Sequence, residues 1–211
     1  MEPGSPLDRA VEVMNQLRSP GGCPWDAEQT HASLARYLLE ETYEVLEAIE
    51  SDDPTLLREE LGDLLLQVLF HARLAEELPA DQRFSIDDVA TDLTDKLIRR
   101  HPHVFGDTAG TVTDAAALNE TWEKQKVAEK GRTSAADGVP LAQPSLALAA
   151  KLVSRARRAE LDVAPESSDD VGERLFAIVQ EATAAGVDPE GALRRTTMSY
   201  LAAIRAAEEQ A

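Results

Sequence analysis

Four carboxylates, Glu41, Glu44, Glu60 and Asp63, stand in the stretch LLEETYEVLEAIESDDPTLLREELGDLLL, residues 38–66, as two acid pairs that each span one helical turn. That spacing puts both members of a pair on one face of an α-helix. On a wheel of about 100° per residue, Glu41 falls inside the apolar arc between Leu34 and Tyr37, and Glu44 lies on its edge. Glu60 and Asp63 are flanked by Leu56, Leu57, Leu64 and Phe70. Four inward anions repel one another and lose hydration, at a cost of several kcal/mol per ion unless compensated. A divalent cation is the simplest compensation. An all-oxygen ligand set, without Cys or His, favours Mg²⁺, with Mn²⁺ as a substitute, over Zn²⁺. Glu47, Glu50 and Glu59 read instead as a solvated helix face.

Two helices must position these acids. Leu34, Leu38, Val45 and Ile49 recur at the spacing of one helix face, and Leu57, Leu61, Leu64, Val68 and Ala72 do so on the next. Between them, Asp53 suits an N-cap and Pro54 the first helical position. The result is an antiparallel helical hairpin. Glu44 and Glu60 are equidistant from Asp52 at the turn, as are Glu41 and Asp63, so each pair shares a level along the hairpin. Packed helices lie roughly 8–10 Å apart, close enough for facing carboxylates to reach one ion. Gln67 and His71 continue the Glu60 stripe, where they can orient metal-bound waters or sit as satisfied buried groups.

Elsewhere the pattern is also helical. A first helix opens at Ser5-Pro6 and ends near Leu17, followed by the Pro/Gly-rich loop RSPGGCPWDAEQTH. Ser85 with Asp88 forms a capping box ahead of Ile86, Val89, Leu93 and Leu97, and Pro102 ends that helix. A further helix is expected from about Thr113, through Leu118 and Trp122, to Gly131. GRTSAADGVPLAQPS has linker composition, which gives a first domain over residues 1–131, a linker at 132–145 and a second helical region at 146–211. That region weakly echoes the first: LGDLLLQVLFHARLAEE can be laid against VGERLFAIVQEATAAGV. The acidic helix has no counterpart there and Glu60/Asp63 become Asp170/Glu173, so the second copy is expected to lack a metal site. The fold class is all-α, since no useful β-alternation appears.

The net charge of the 211 residues is −18, which argues against partners made of nucleic acid or anionic membrane. A small anionic substrate remains compatible if metal and local cations meet it. One cysteine, Cys23, and no apolar run of membrane or signal-peptide character imply a reduced, cytoplasmic protein. Lys96, Arg99 and Arg100 cluster at a helix end beside His101 and His103. Cations there complement the helix dipole, and beside a metal site the arginine forks also suit phosphate. Trp25 and Trp122 are two of few aromatics. Each is a core residue by default and a base-stacking surface as the alternative. The second acidic helix is apolar over most of its circumference and so must be covered on several sides, which suggests a dimer contact.

In order along the chain, CPWDAEQTHASL, LLEETYEVLEAI, REELGDLLLQVLFHA and KLIRRHPHVF resemble the motifs of the MazG-type nucleoside triphosphate pyrophosphohydrolases. The likeness is dense over residues 7–131. It implies an all-α bundle, a homodimer, and Mg²⁺-dependent hydrolysis of nucleoside triphosphates to monophosphate and pyrophosphate in nucleotide-pool house-cleaning. Position by position, it implies that Glu41, Glu44, Glu60 and Asp63 ligate Mg²⁺. It makes Glu40 a base or water-holding residue, and Lys96, Arg99, Arg100, Trp122 and Lys126 nucleotide contacts. Longer relatives carry a second complete acidic site, and this chain departs from them there. The rival readings are a related dUTPase or phosphoribosyl-ATP pyrophosphatase, a di-iron bundle, and a non-catalytic helical interaction protein. The di-iron reading needs ExxH on two helices, and only Glu28–His31 has that spacing.

Overall fold

A computed structural model describes residues 4–106, 129, 133–163 and 170–210. Every regular element among them is a helix, so the all-α expectation holds. The chain divides into two compact units, Met1–Thr113 and Asp114–Ala211. The helix expected from Thr113 to Gly131 falls largely outside the described residues.

In the first unit, α1 spans Pro6–Arg18, α2 Pro24–Glu28, α3 His31–Ser51, α4 Pro54–Ala75, α5 Ile86–Arg100 and α6 Pro102–Phe105. Local chemistry sets these limits. Ser5 and Asp8 close a capping box on α1, Thr30 and Ser33 one on α3, and Ser85 and Asp88 one on α5. The backbone amide bond from Ser85, then its hydroxyl, hold the Asp88 carboxyl below its ordinary pKa. The hairpin turn is built as its residues suggest. Asp52 takes the left-handed conformation at φ 55°, and the Asp53 carboxylate accepts from Thr55 N at 2.8 Å and Leu56 N at 3.3 Å.

The core of this unit joins four helices: Met14 from α1, Leu34 from α3, and Leu69, Phe70 and Leu74 from α4, with Tyr37 and Ile86 against them. Arg18 fastens the same end. Its guanidinium donates both Nε and Nη2 to Glu77 at 2.9 Å and Nη1 to the carbonyl of Asp26, and lies over the Phe70 ring. This fork holds the Glu77 carboxyl below its usual pKa, chiefly through the hydrogen bond. α3 and α4 run against each other along their length, yet their buried residues differ from the periodic sets. Ile49, Leu61 and Val68 are exposed, while Ala48, Gln67 and Leu69 are buried.

The α1–α2 connection is tight rather than loose. Gly22 N donates to Ser19 O at 2.8 Å and Cys23 N to Leu17 O at 2.7 Å. A Cβ on Gly22 would stand 2.2 Å from the Leu17 carbonyl oxygen, a backbone atom that no rotamer change can move. Gly22→Ala is therefore expected to destabilise the first unit by about 2 kcal/mol or more, read from its urea midpoint. An unchanged midpoint would mean that the turn tolerates rearrangement.

In the second unit, α7 spans Ser145–Arg158, α8 Val171–Ala184 and α9 Pro189–Glu208. Residues 133–139 of the stretch of linker composition are folded onto this unit. Arg155 Nη1 donates to the carbonyls of Ala135 at 3.1 Å and Asp137 at 2.6 Å, and Val139 is buried. Asp170, which occupies the Glu60 position of the echo, caps α8 by accepting from the amides of Gly172 and Glu173. No described helix in either unit is long and apolar enough to cross a membrane.

Candidate metal centre and active site

α3 and α4 bring Glu41, Glu60 and Asp63 together, one carboxylate oxygen from each lying within 4.8 Å of the others. Among the described residues this is the group of acids that converges so closely. Glu44 completes the neighbourhood. It shares a side-chain hydrogen bond with Glu41 and its charge bears on both Glu41 and Glu60. The hairpin register explains the meeting, because the Asp52–Asp53 turn sets Glu41 level with Asp63.

The electrostatics are those of crowded carboxylates. Glu41 is pushed up to about 7, first by burial, then by its hydrogen bond to Glu44 and the charges of Glu44, Asp63 and Glu40. Glu60 is raised by burial and by Glu44, Asp63, Glu59 and Glu47. The charges that raise these two groups are carboxylates. The donor set therefore fits a hard divalent cation, which accepts carboxylate oxygens and removes the repulsion in one step.

The arrangement differs from four inward acids in one respect. Glu41 and Glu60 are half-buried, whereas Glu44, Asp63 and Glu40 are exposed. The core lies at the other end of the hairpin, around Leu34 and Phe70, so the acid end of α3 and α4 faces outward in the single chain. Lys96 and Arg100 are half-buried and Arg99 exposed, all on the last turns of α5. His101 follows at the cap, its Nδ1 2.6 Å from Leu97 O, and its ring is 5.5 Å from that of His103. Trp122 and Lys126 lie outside the described residues. Trp25 is 49% exposed, with edge-on contacts to Tyr37 at 5.9 Å and Phe70 at 6.4 Å between centroids.

Pattern reading did not pair His31 with His71. Their Nδ1 atoms are 2.7 Å apart and their rings are parallel within 5°. The hairpin register was the available signal, since the two stand at nearly equal distances from the Asp52 turn. Burial, then the His31 charge, holds His71 below its ordinary pKa.

A family model for the MazG nucleotide pyrophosphohydrolase domain matches residues 29–105, which contain the whole acid hairpin and the basic end of α5. Over 99% of its length this chain is 38% identical to a nucleoside triphosphate pyrophosphohydrolase/pyrophosphatase MazG from Thermotoga maritima, of which 88% is covered. The chain belongs to the MazG nucleoside triphosphate pyrophosphohydrolase family. It is also 45% identical to a nucleoside triphosphate pyrophosphohydrolase of Mycobacterium tuberculosis, over 97% of this chain and 59% of that protein. An uncharacterized 26.1 kDa protein of Streptomyces cacaoi is 53% identical, over 98% of this chain and 84% of that one. Membership makes this MazG-family chain a hydrolase acting on phosphoanhydrides, with a nucleotide as substrate.

Proposed function

We propose that this chain hydrolyses nucleoside triphosphates at the α–β phosphoanhydride bond to a nucleoside monophosphate and pyrophosphate, with Mg²⁺ held by Glu41, Glu44, Glu60 and Asp63. The observation that carries this reading is the convergence of three carboxylates inside the segment matched by the family model. An acidic cluster repels a triphosphate unless cations stand between them. When bound, Mg²⁺ neutralises phosphate charge and activates water.

The chain's own groups supply the rest. By the family pattern Glu40, beside Glu41, holds the attacking water and takes its proton. Lys96, Arg99 and Arg100 meet phosphate oxygens, the arginines as forks, and Trp122 and Lys126 add nucleotide contacts by the family pattern. Trp25 offers a flat surface at the level of Tyr37, one helical turn or roughly 6 Å of rise from Glu41. That is about the reach from an α-phosphate to its base. With base stacking contributing about 1–3 kcal/mol, Trp25→Ala is expected to raise KM for a nucleoside triphosphate roughly tenfold, without comparable effect on inorganic tripolyphosphate. Equal effects on both compounds would remove Trp25 from the base site.

A second copy of the chain is the proposed partner. Leu39, Leu46 and Ile49 of α3 and Leu61, Leu66 and Val68 of α4 are exposed in the single chain, an apolar extent that marks a contact surface. We place the dimer in a reduced, cytoplasmic setting, where it clears nucleotides from the pool. Anion-exchange analysis of products tests the reaction, using ordinary and oxidised nucleoside triphosphates with and without Mg²⁺. Monophosphate and pyrophosphate formed only with metal are expected. Release of orthophosphate, or turnover without metal, would overturn the reading.

A further inference from the structure

Two buried polar atoms on α4 have no hydrogen-bond partner among the described residues: Gln67 Oε1 and His71 Nε2. Gln67 is 4% exposed, an unusual setting for an unpaired amide oxygen, because a buried acceptor without a donor is costly. The two residues are one turn apart, and Gln67 is one turn beyond Asp63, so Asp63, Gln67 and His71 form one stripe that begins at the acidic cluster. Helical side chains lean toward the N-terminus of their helix. His71 therefore leans toward Gln67, and Gln67 toward Asp63.

The other ring nitrogen of His71 is occupied. His31 Nδ1 lies 2.7 Å from His71 Nδ1, with the rings parallel, so one nitrogen donates and the other accepts. If His31 is the donor, His71 carries its proton on Nε2, and the two unpaired atoms become a donor and an acceptor on successive turns.

We propose that Gln67 is a positioning residue of the hydrolytic centre. Its Oε1 accepts a hydrogen bond from a water at the acidic cluster, and His71, whose tautomer is fixed by His31, donates from Nε2 to the next water along the same stripe. The inference rests on the metal-dependent reading of the cluster and extends it by one helical turn. It accounts for the unpaired oxygen, which lacks a donor among the described residues and finds one in the water of the working site.

Gln67→Leu keeps the volume and removes the acceptor. The variant is compared with the wild type in kcat, KM, metal-free melting temperature and Mn²⁺ affinity by calorimetry. The expected result is a kcat lower by about 10–100-fold, with KM and Mn²⁺ affinity within about twofold. The melting temperature is expected to be equal or higher, because an unsatisfied buried oxygen has gone. An unchanged kcat overturns the proposal, and so does a melting temperature that falls together with kcat, which marks a structural role. Nitrogen-15 spectra of the histidines decide the relay independently of turnover. His71 protonated on Nε2 in the wild type supports it, and a proton on Nδ1 overturns it. A wild-type protein that turns over nothing with Mg²⁺ would sink the functional reading while leaving that spectral result to stand by itself.

Discussion

Neutralising one acid of the cluster should cut turnover steeply while making the metal-free protein more stable. In Glu41→Gln the cation loses a ligand at the centre of the group. A loss on the order of 10²–10³ in kcat is expected, comparable to removing one electrostatic stabiliser of a reaction. Asp63→Asn should behave alike in activity, since Asp63 is the member that meets Glu41 across the hairpin. The stability change follows from repulsion. Glu41 sits at about 7 in the folded chain against an ordinary 4.5, so the folded state holds this proton more tightly than the unfolded one. Its ionisation therefore opposes folding, an effect that grows as pH rises from 4.5 through 7 and is complete above that. At pH 8 the Gln variant should melt higher than the wild type, and at pH 4.5 the difference should vanish. Circular dichroism melts at the two pH values, beside product analysis, check both parts. Wild-type turnover in both variants would end the metal assignment.

The second large effect is the pH dependence of metal binding. Below pH 7 the first divalent ion must displace the proton that Glu41 shares with its neighbours. Apparent affinity for Mn²⁺ should accordingly fall by about tenfold per pH unit as pH drops from 7 toward 5, and level off above 7. Glu60, also raised, first by burial and then by its neighbours, adds to this dependence. Calorimetry in two buffers of different ionisation enthalpy should show proton release at pH 6 and nearly none at pH 8. The Glu41→Gln variant should show a flatter profile at lower affinity. An affinity constant over pH 5–8 would mean that the ion binds elsewhere.

These effects depend on a meeting of side chains that was largely legible before any coordinates. The acids at 41, 44, 60 and 63, the Asp53–Pro54 start of the second helix and the equal distances from Asp52 are all local facts. The physics that uses them is also local: an Asp that caps, a Pro that cannot continue the preceding helix, and a turn of fixed length. Ser5 with Asp8 and Ser85 with Asp88 are readable for the same reason, since a capping box closes within four residues.

Which apolar face is buried was not legible. α4 is apolar over most of its circumference, so periodicity marks a helix without selecting a side. The face through Leu61 and Val68 looked as good as the one through Leu69, Phe70 and Leu74. Packing against Met14 of α1 and Leu34 of α3 made the choice. The pairings Arg18–Glu77 and His31–His71, each joining residues 40 or more positions apart in the chain, likewise depend on how helices align over long separations. So does the burial of Gln67 without a partner. The sequence by itself determined an all-α chain with an acidic helical hairpin, and its motifs marked the family. The tertiary structure decided which end of that hairpin is core and which stays open, because burial is a property of neighbours and no single helix contains its own.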